Sequence, residues 1–168
     1  MKRTLQIFVL AALVVLAFKP MMACGQLFFM QDDNIGKPIQ DFKLVTLQAG
    51  EKSLSDLRGG KRAIVFFWAT WCPHCREALS KINANRDEIT KKGIQIVLVD
   101  IGEKAEVVSG YLEKNKIDMD VMLDEKTDVA TLFGIVGVPT FYLVDKDGTV
   151  KNVLHGYPED LEAAFSKS

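Results

Sequence analysis

Cysteine is scarce in this chain, three in 168 residues. That odd number excludes a disulfide-stapled scaffold, because a single bridge leaves one thiol over. Neither sign of charge predominates: 21 Lys and Arg stand against 22 Asp and Glu, a formal net charge of −1, so nothing electrostatic points to nucleic acid or an anionic surface as partner. Internal repeats and low-complexity stretches are also absent from the sequence. With 48% hydrophobic and 26% charged residues, the composition is that of an ordinary globular protein. A mostly disordered chain, a collagen-like repeat and a large multidomain machine are thereby excluded. The length suits one domain.

The long uninterrupted apolar run lies at the N-terminus. Lys2 and Arg3 precede an uncharged stretch over residues 4–18, which Lys19 and Pro20 end. A basic start followed by an apolar segment is the profile of a signal peptide. The run is shorter than the roughly 18 to 20 residues of a spanning helix, and a buried N-terminal helix without a polar face would need cover on every side. Two processing routes are open. Met21-Met22-Ala23-Cys24-Gly25 resembles a bacterial lipobox, in which Cys24 becomes a lipidated first residue, and Ala23-Cys24-Gly25 also suits ordinary signal peptidase cutting before Gln26; a retained anchor is the third alternative. Residues 1–25 are read as the signal, 26–36 as a tether and 37–168 as the folded domain, which each route places outside the cytoplasm. Loss of Lys2, Arg3 and Lys19 takes the 21 basic residues to 18 against 22 acidic ones, leaving a mildly acidic domain.

Within that domain, residues 42–47 are strand-like, 48–51 turn-like and 55–61 a short helical turn stopped by glycines. The continuous apolar run 63–68 suits a central strand covered on both faces, and 94–101 suits a second. Between them, residues 73–91 read as a helix with Pro73 in its first turn and Lys91-Lys92-Gly93 at its end. A helix over 104–115, a short strand over 118–123 and a helical stretch over 127–133 follow. A hairpin of 140–144 and 149–155 around Asp145-Lys146-Asp147-Gly148 comes next, and a last helix spans 158–166. Apolar strands alternating with helices predict an α/β fold with a mixed sheet.

The chemistry-bearing motif is Trp71-Cys72-Pro73-His74-Cys75, placed after a buried strand and at the start of a helix. Free N–H groups and the dipole at a helix N-terminus stabilise an anion, so the Cys72 thiolate is favoured there. Cys75 lies one turn on and can close a disulfide with Cys72. The expectation is an exposed attacking Cys72 and a more buried resolving Cys75. His74 would stabilise the thiolate further, by charge or by a hydrogen bond. The competing readings are plainer. The pair could be half of a zinc site, although Cys24 is distant and His155 sits on a predicted hairpin, so four ligands are hard to assemble. It could be a structural disulfide, although so short a loop stabilises little. His74 could be an ordinary exposed residue, and His155 is read as structural.

Phe67-Trp68-Ala69-Thr70-Trp71-Cys72-Pro73-His74-Cys75-Arg76 and the later segment 137–148, beginning Gly137-Val138-Pro139-Thr140-Phe141, resemble the thioredoxin superfamily. Within it the chain is most similar to the extracytoplasmic TlpA/ResA-like thiol-disulfide oxidoreductases, over about residues 36–165. The resemblance implies a three-layer sandwich with a central mixed β-sheet flanked by helices. It implies a cis Val138-Pro139 bond facing the cysteines, with Val138 offering backbone hydrogen bonds to an extended substrate, against the plainer reading of a trans proline opening the strand. Trp71 would shield the sulfurs within an apolar docking surface, while Trp68 suits the core. Three departures stand out. Where many thioredoxins carry a buried Asp and TlpA-like proteins an Asn, this chain has Phe66; the ResA-like Glu after the second cysteine is Ala78, with Glu77 beside it as a solvated helix residue; and the usual helix proline is Ser80. The Pro73-His74 dipeptide resembles the DsbA oxidants.

The resemblance implies an exported enzyme that exchanges disulfides with protein substrates, as a reductant in a pathway such as cytochrome c maturation. It would be recharged by a membrane thiol donor, would act as a monomer, and would need no organic cofactor or metal. A DsbA-like oxidant and a metal-handling binding protein are the alternatives. A peroxidase is disfavoured, because the Pro-x-x-x-Thr-x-x-Cys pattern is absent around Cys72.

Overall fold

The computed structural model describes residues 33–166. Cys24, the 1–25 signal and most of the 26–36 tether lie outside the described residues. Seven strands form one mixed sheet in the order β2-β1-β5-β4-β3-β6-β7. They are β1 (Lys43–Thr46), β2 (Gly50–Ser53), β3 (Arg62–Trp68), β4 (Ile94–Ile101), β5 (Val121–Asp124), β6 (Thr140–Val144) and β7 (Val150–Leu154). The apolar runs of β3 and β4 pair in parallel, as do β4 and β5; β6 joins β3 antiparallel and carries β7 by the expected hairpin.

Among the described residues, five helices cover the two faces: α1 (Leu54–Arg58), α2 (Pro73–Lys91), α3 (Ala105–Lys114), α4 (Asp128–Leu132) and α5 (Leu161–Ser166). Alternation along β3 decides the layers. Ile64, Phe66 and Trp68 pack with Leu79 and Ile82 of α2, Val108 and Leu112 of α3, and Phe165 of α5. Ala63, Val65 and Phe67 face the other way, onto Leu54 of α1, Val129 of α4 and the adjoining Phe133. The result is the expected three-layer α/β sandwich.

β2 departs from expectation, because residues 48–51 read as a turn. Gly50-Glu51-Lys52-Ser53 has no apolar residue, and its pairing with β1 at the sheet edge rests on backbone hydrogen bonds. Ser53 then caps α1: its Oγ accepts from the Asp56 N–H at 3.0 Å while the Asp56 carboxylate accepts from the Ser53 N–H at 3.2 Å. Gly59, at φ 55°, ends α1 in the left-handed region that a side chain rarely adopts. The last helix begins at Leu161 rather than at residue 158.

Candidate active site

β3 ends at Trp68, and four residues later the chain enters α2 with Cys72 as its N-cap, at φ −85° and ψ 115°. Pro73 occupies the first turn, where its missing N–H costs nothing. The Cys72 Sγ accepts a hydrogen bond from the Cys75 N–H at 3.2 Å and lies 3.6 Å from the Val138 carbonyl oxygen, to which it donates as a thiol. Val138-Pro139 is cis, as expected, and brings Val138 to the cysteines from the loop before β6.

The expectation of an exposed Cys72 is corrected: its exposure is 4%, against 0% for Cys75. The ordering holds, and the Val138 carbonyl reaches the Cys72 sulfur at 3.6 Å. Burial pushes the Cys75 thiol up to about 12, helped by its hydrogen bond and charge interaction with the Cys72 sulfur. Both thiols are reduced and free.

Two exposed apolar side chains neighbour the site in sequence. Trp71 is 66% exposed and Val136, two residues before Val138, is fully exposed, whereas Trp68 is buried against Phe66 and Tyr111. Exposed His74 lines a cleft of about 200 Å³ with Glu77, Lys81, Pro139, His155 and Tyr157. His155 has the structural contact expected of it, Nδ1 to Thr140 Oγ1 at 3.2 Å. It also borders the same cleft as His74, which the sequence does not reveal. Glu77 is a solvated helix residue paired with Lys81 at 3.4 Å.

Two residues given no role in the sequence reading, Glu103 and Asp100, bear on this region. Glu103 accepts two hydrogen bonds from Thr70, from its N–H at 2.5 Å and its Oγ at 2.6 Å. Asp100, at the end of β4, is fully buried beside Trp68. Its carboxyl is pushed up to about 8 by burial and by the neighbouring Glu103 carboxylate. The available signal was an acid terminating an otherwise apolar strand.

A buried thiol pair at a helix N-terminus, facing a backbone carbonyl, is suited to disulfide exchange, and comparison with known proteins gives the same class. Residues 35–153 match the AhpC/TSA family. The chain belongs to that family. It is 32% identical to the thiol-disulfide oxidoreductase ResA of Geobacillus kaustophilus over 76% of this chain and 74% of that one. It is 26% identical to ResA of Bacillus cereus over 99% and 98% of the two chains. Among solved structures, a Chlorobium tepidum protein assigned as thiol:disulfide interchange protein DsbE superposes with a TM-score of 0.70 at 30% identity, covering 79% of this chain and 98% of that one. The chain is thus an enzyme of the thiol-disulfide oxidoreductase class with a thioredoxin-like fold.

Proposed function

We propose that this enzyme works outside the cytoplasm, delivered by residues 1–25 and held by lipidated Cys24 or released at Gln26, with residues 37–168 as its thioredoxin-like domain. There it reduces disulfides in protein substrates, in a ResA-like pathway such as cytochrome c maturation. The observation that supports it best is Cys72 at the head of α2, with the Cys75 N–H on one side of its sulfur and the Val138 carbonyl on the other.

In the reductive direction the Cys72 thiolate attacks one sulfur of a substrate disulfide and the other substrate sulfur leaves as a thiolate. Cys75 then attacks the mixed disulfide, releasing the second substrate thiolate and leaving Cys72 and Cys75 oxidised by two electrons. Until the first step Cys75 holds its proton, because burial and the Cys72 sulfur both favour the neutral thiol. Once Cys72 is bonded to substrate, the Cys72 contributions are lost and Cys75 gives up its proton more readily to the departing thiolate. Trp71 and Val136 offer apolar contact to the client, and the backbone at Val138 and Pro139 pairs with an extended segment. A membrane thiol-disulfide donor restores the dithiol. No metal or organic cofactor takes part.

The Pro73-His74 dipeptide and the apolar Phe66 favour a second reading, an oxidant running the same steps backwards. The reduction potential of the Cys72-Cys75 pair separates the two. A value near the thioredoxin figure of about −270 mV supports the reductant, and one near the DsbA figure of about −120 mV supports the oxidant. Failure to turn over any protein disulfide, with stoichiometric metal retained under reducing conditions, would favour a metal-handling protein instead.

A further inference from the structure

Thr140 opens β6 directly after the cis Val138-Pro139 bond, buried and opposite Phe67 of β3. The loop before it carries the Val138 carbonyl that meets the Cys72 sulfur at 3.6 Å. Pro139 has no N–H to give, and outside helices and strands the backbone-to-backbone hydrogen bonds of the described residues include none from residues 136–139. Side chains hold the loop instead. The Thr140 Oγ donates to the Gly137 carbonyl at 2.8 Å, closing the loop across Val138 and Pro139, and the same oxygen lies 3.2 Å from Nδ1 of His155. His155 comes opposite Thr140 by continuing the antiparallel register that pairs Phe141 with Leu154.

Counting protons fixes the direction of each bond. A threonine hydroxyl has a single proton, and a carbonyl oxygen can only accept. The Thr140 proton therefore goes to Gly137, so His155 must donate through Nδ1, and Nε2 is the unprotonated nitrogen of the uncharged ring. A charged ring keeps its Nδ1 proton as well, so the contact survives in both forms.

We propose that His155 is a positioning residue for client binding: its Nδ1–H donates to the Thr140 hydroxyl, which donates to the Gly137 carbonyl, and this relay braces the Gly137–Thr140 loop so that the Val138 and Pro139 backbone is preset for an extended substrate segment beside Cys72. A loop already held in its bound form does not have to be ordered when the client arrives. The inference rests on the proposed exchange with protein disulfides. It adds that the ring bordering the cleft of His74 and Pro139 acts through the loop and not on the sulfurs.

The test uses the full chain, reduced, as wild type and as His155→Asn, His155→Gln and His155→Leu. Asparagine places amide N–H groups where Nδ1 stands, glutamine places them one bond farther out, and leucine has none. Two rates are followed in single turnovers, with the dithiol supplying both electrons: reduction of an extended peptide that carries a disulfide, and reduction of a small aromatic disulfide that has no backbone to pair. The nitrogen-15 spectrum of the uncharged histidine rings reports the tautomer, and the signal lost in His155→Asn identifies the ring. The wild type is expected to show His155 protonated at Nδ1. His155→Gln and His155→Leu should lower the ratio of the peptide rate to the small-disulfide rate about fivefold, the worth of one net hydrogen bond, while His155→Asn keeps the wild-type ratio. An Nε2-protonated His155 in the wild type, an unchanged ratio in His155→Leu, which is the result of a merely structural contact, or a ratio that falls as far in His155→Asn as in His155→Gln would each overturn the proposal. A wild type that reduces neither disulfide would instead overturn the exchange reaction, and the positioning role with it, whatever the spectrum shows.

Discussion

Phe66 and Phe141 stack face to face, their ring centroids 4.2 Å apart and their planes 2° from parallel, on the sheet face that α2 covers. Phe66 stands where the thioredoxin resemblance leads to the expectation of a polar residue, and the aromatic pair fills that space with carbon. Removing the ring by Phe66→Ala should cost about 3–5 kcal/mol, measured as a fall in the urea midpoint. A loss below about 1 kcal/mol would mean that the surrounding side chains collapse into the space.

The two cysteines should separate by role. Cys75→Ser leaves Cys72 able to attack but removes the resolving thiol, so mixed disulfides with protein substrates should accumulate and survive denaturing electrophoresis without reductant. Cys72→Ser should trap none. The greater burial of Cys75 and its thiol held up at about 12 motivate this order, and the reverse pattern would exchange the assignments.

Asp100 gives a pH dependence of stability with a definite sign. Its carboxyl is raised from 3.8 to about 8 in the folded protein, so between those values the unfolded chain has released a proton that the folded one still holds. Stability must therefore fall as pH rises through that window, by at most about 1.4 kcal/mol per pH unit from this group. Asp100→Asn removes the titration. Urea unfolding at pH 5 and pH 8, both within the window, should show a steeper decline for the wild type than for the variant, and parallel declines would count against a buried neutral Asp100.

Export makes a separate demand on Cys24. Intact mass of the protein recovered from its native host should show either a lipidated Cys24 as first residue or a chain starting at Gln26. A soluble cytoplasmic pool beginning at Met1 would overturn the proposed location.

What the sequence disclosed followed from how the information is stored. β3, α2 and β4 are legible because burial on both sheet faces demands continuous apolar runs, and Pro73 and Gly93 punctuate the helix between them. β2 is not legible, since an edge strand held by backbone pairing needs no apolar residue. The cysteines announce themselves by spacing, but the Val138 carbonyl that meets the Cys72 sulfur lies 66 residues away. The grip of Glu103 on Thr70 spans 33 residues, and His155 reaches the His74 cleft only because β7 returns alongside β6. Local pattern reports which elements form; their assembly decides which side chains meet.

The last prediction concerns His74 and the direction of electron flow. It lies in the first turn of α2, exposed, in a helix whose first turn holds no acid, and it shares its cleft with Pro139 and His155. An imidazole among the leading N–H groups of a helix adds a donor or a positive charge where the Cys72 sulfur carries negative charge. If that interaction operates here, the reduced protein would gain from it and the disulfide would not, which would make the disulfide the stronger oxidant. His74→Leu removes donor and charge together and should make the potential more reducing, by about 30 mV for each 1.4 kcal/mol of reduced-state stabilisation lost. Equilibration of wild type and variant with glutathione at fixed pH measures the difference. A wild-type potential near about −270 mV that does not respond to the substitution would remove the case for an oxidant. The reductive pathway would then stand, because His74 would be an exposed helix residue with no hold on the thiolate it adjoins.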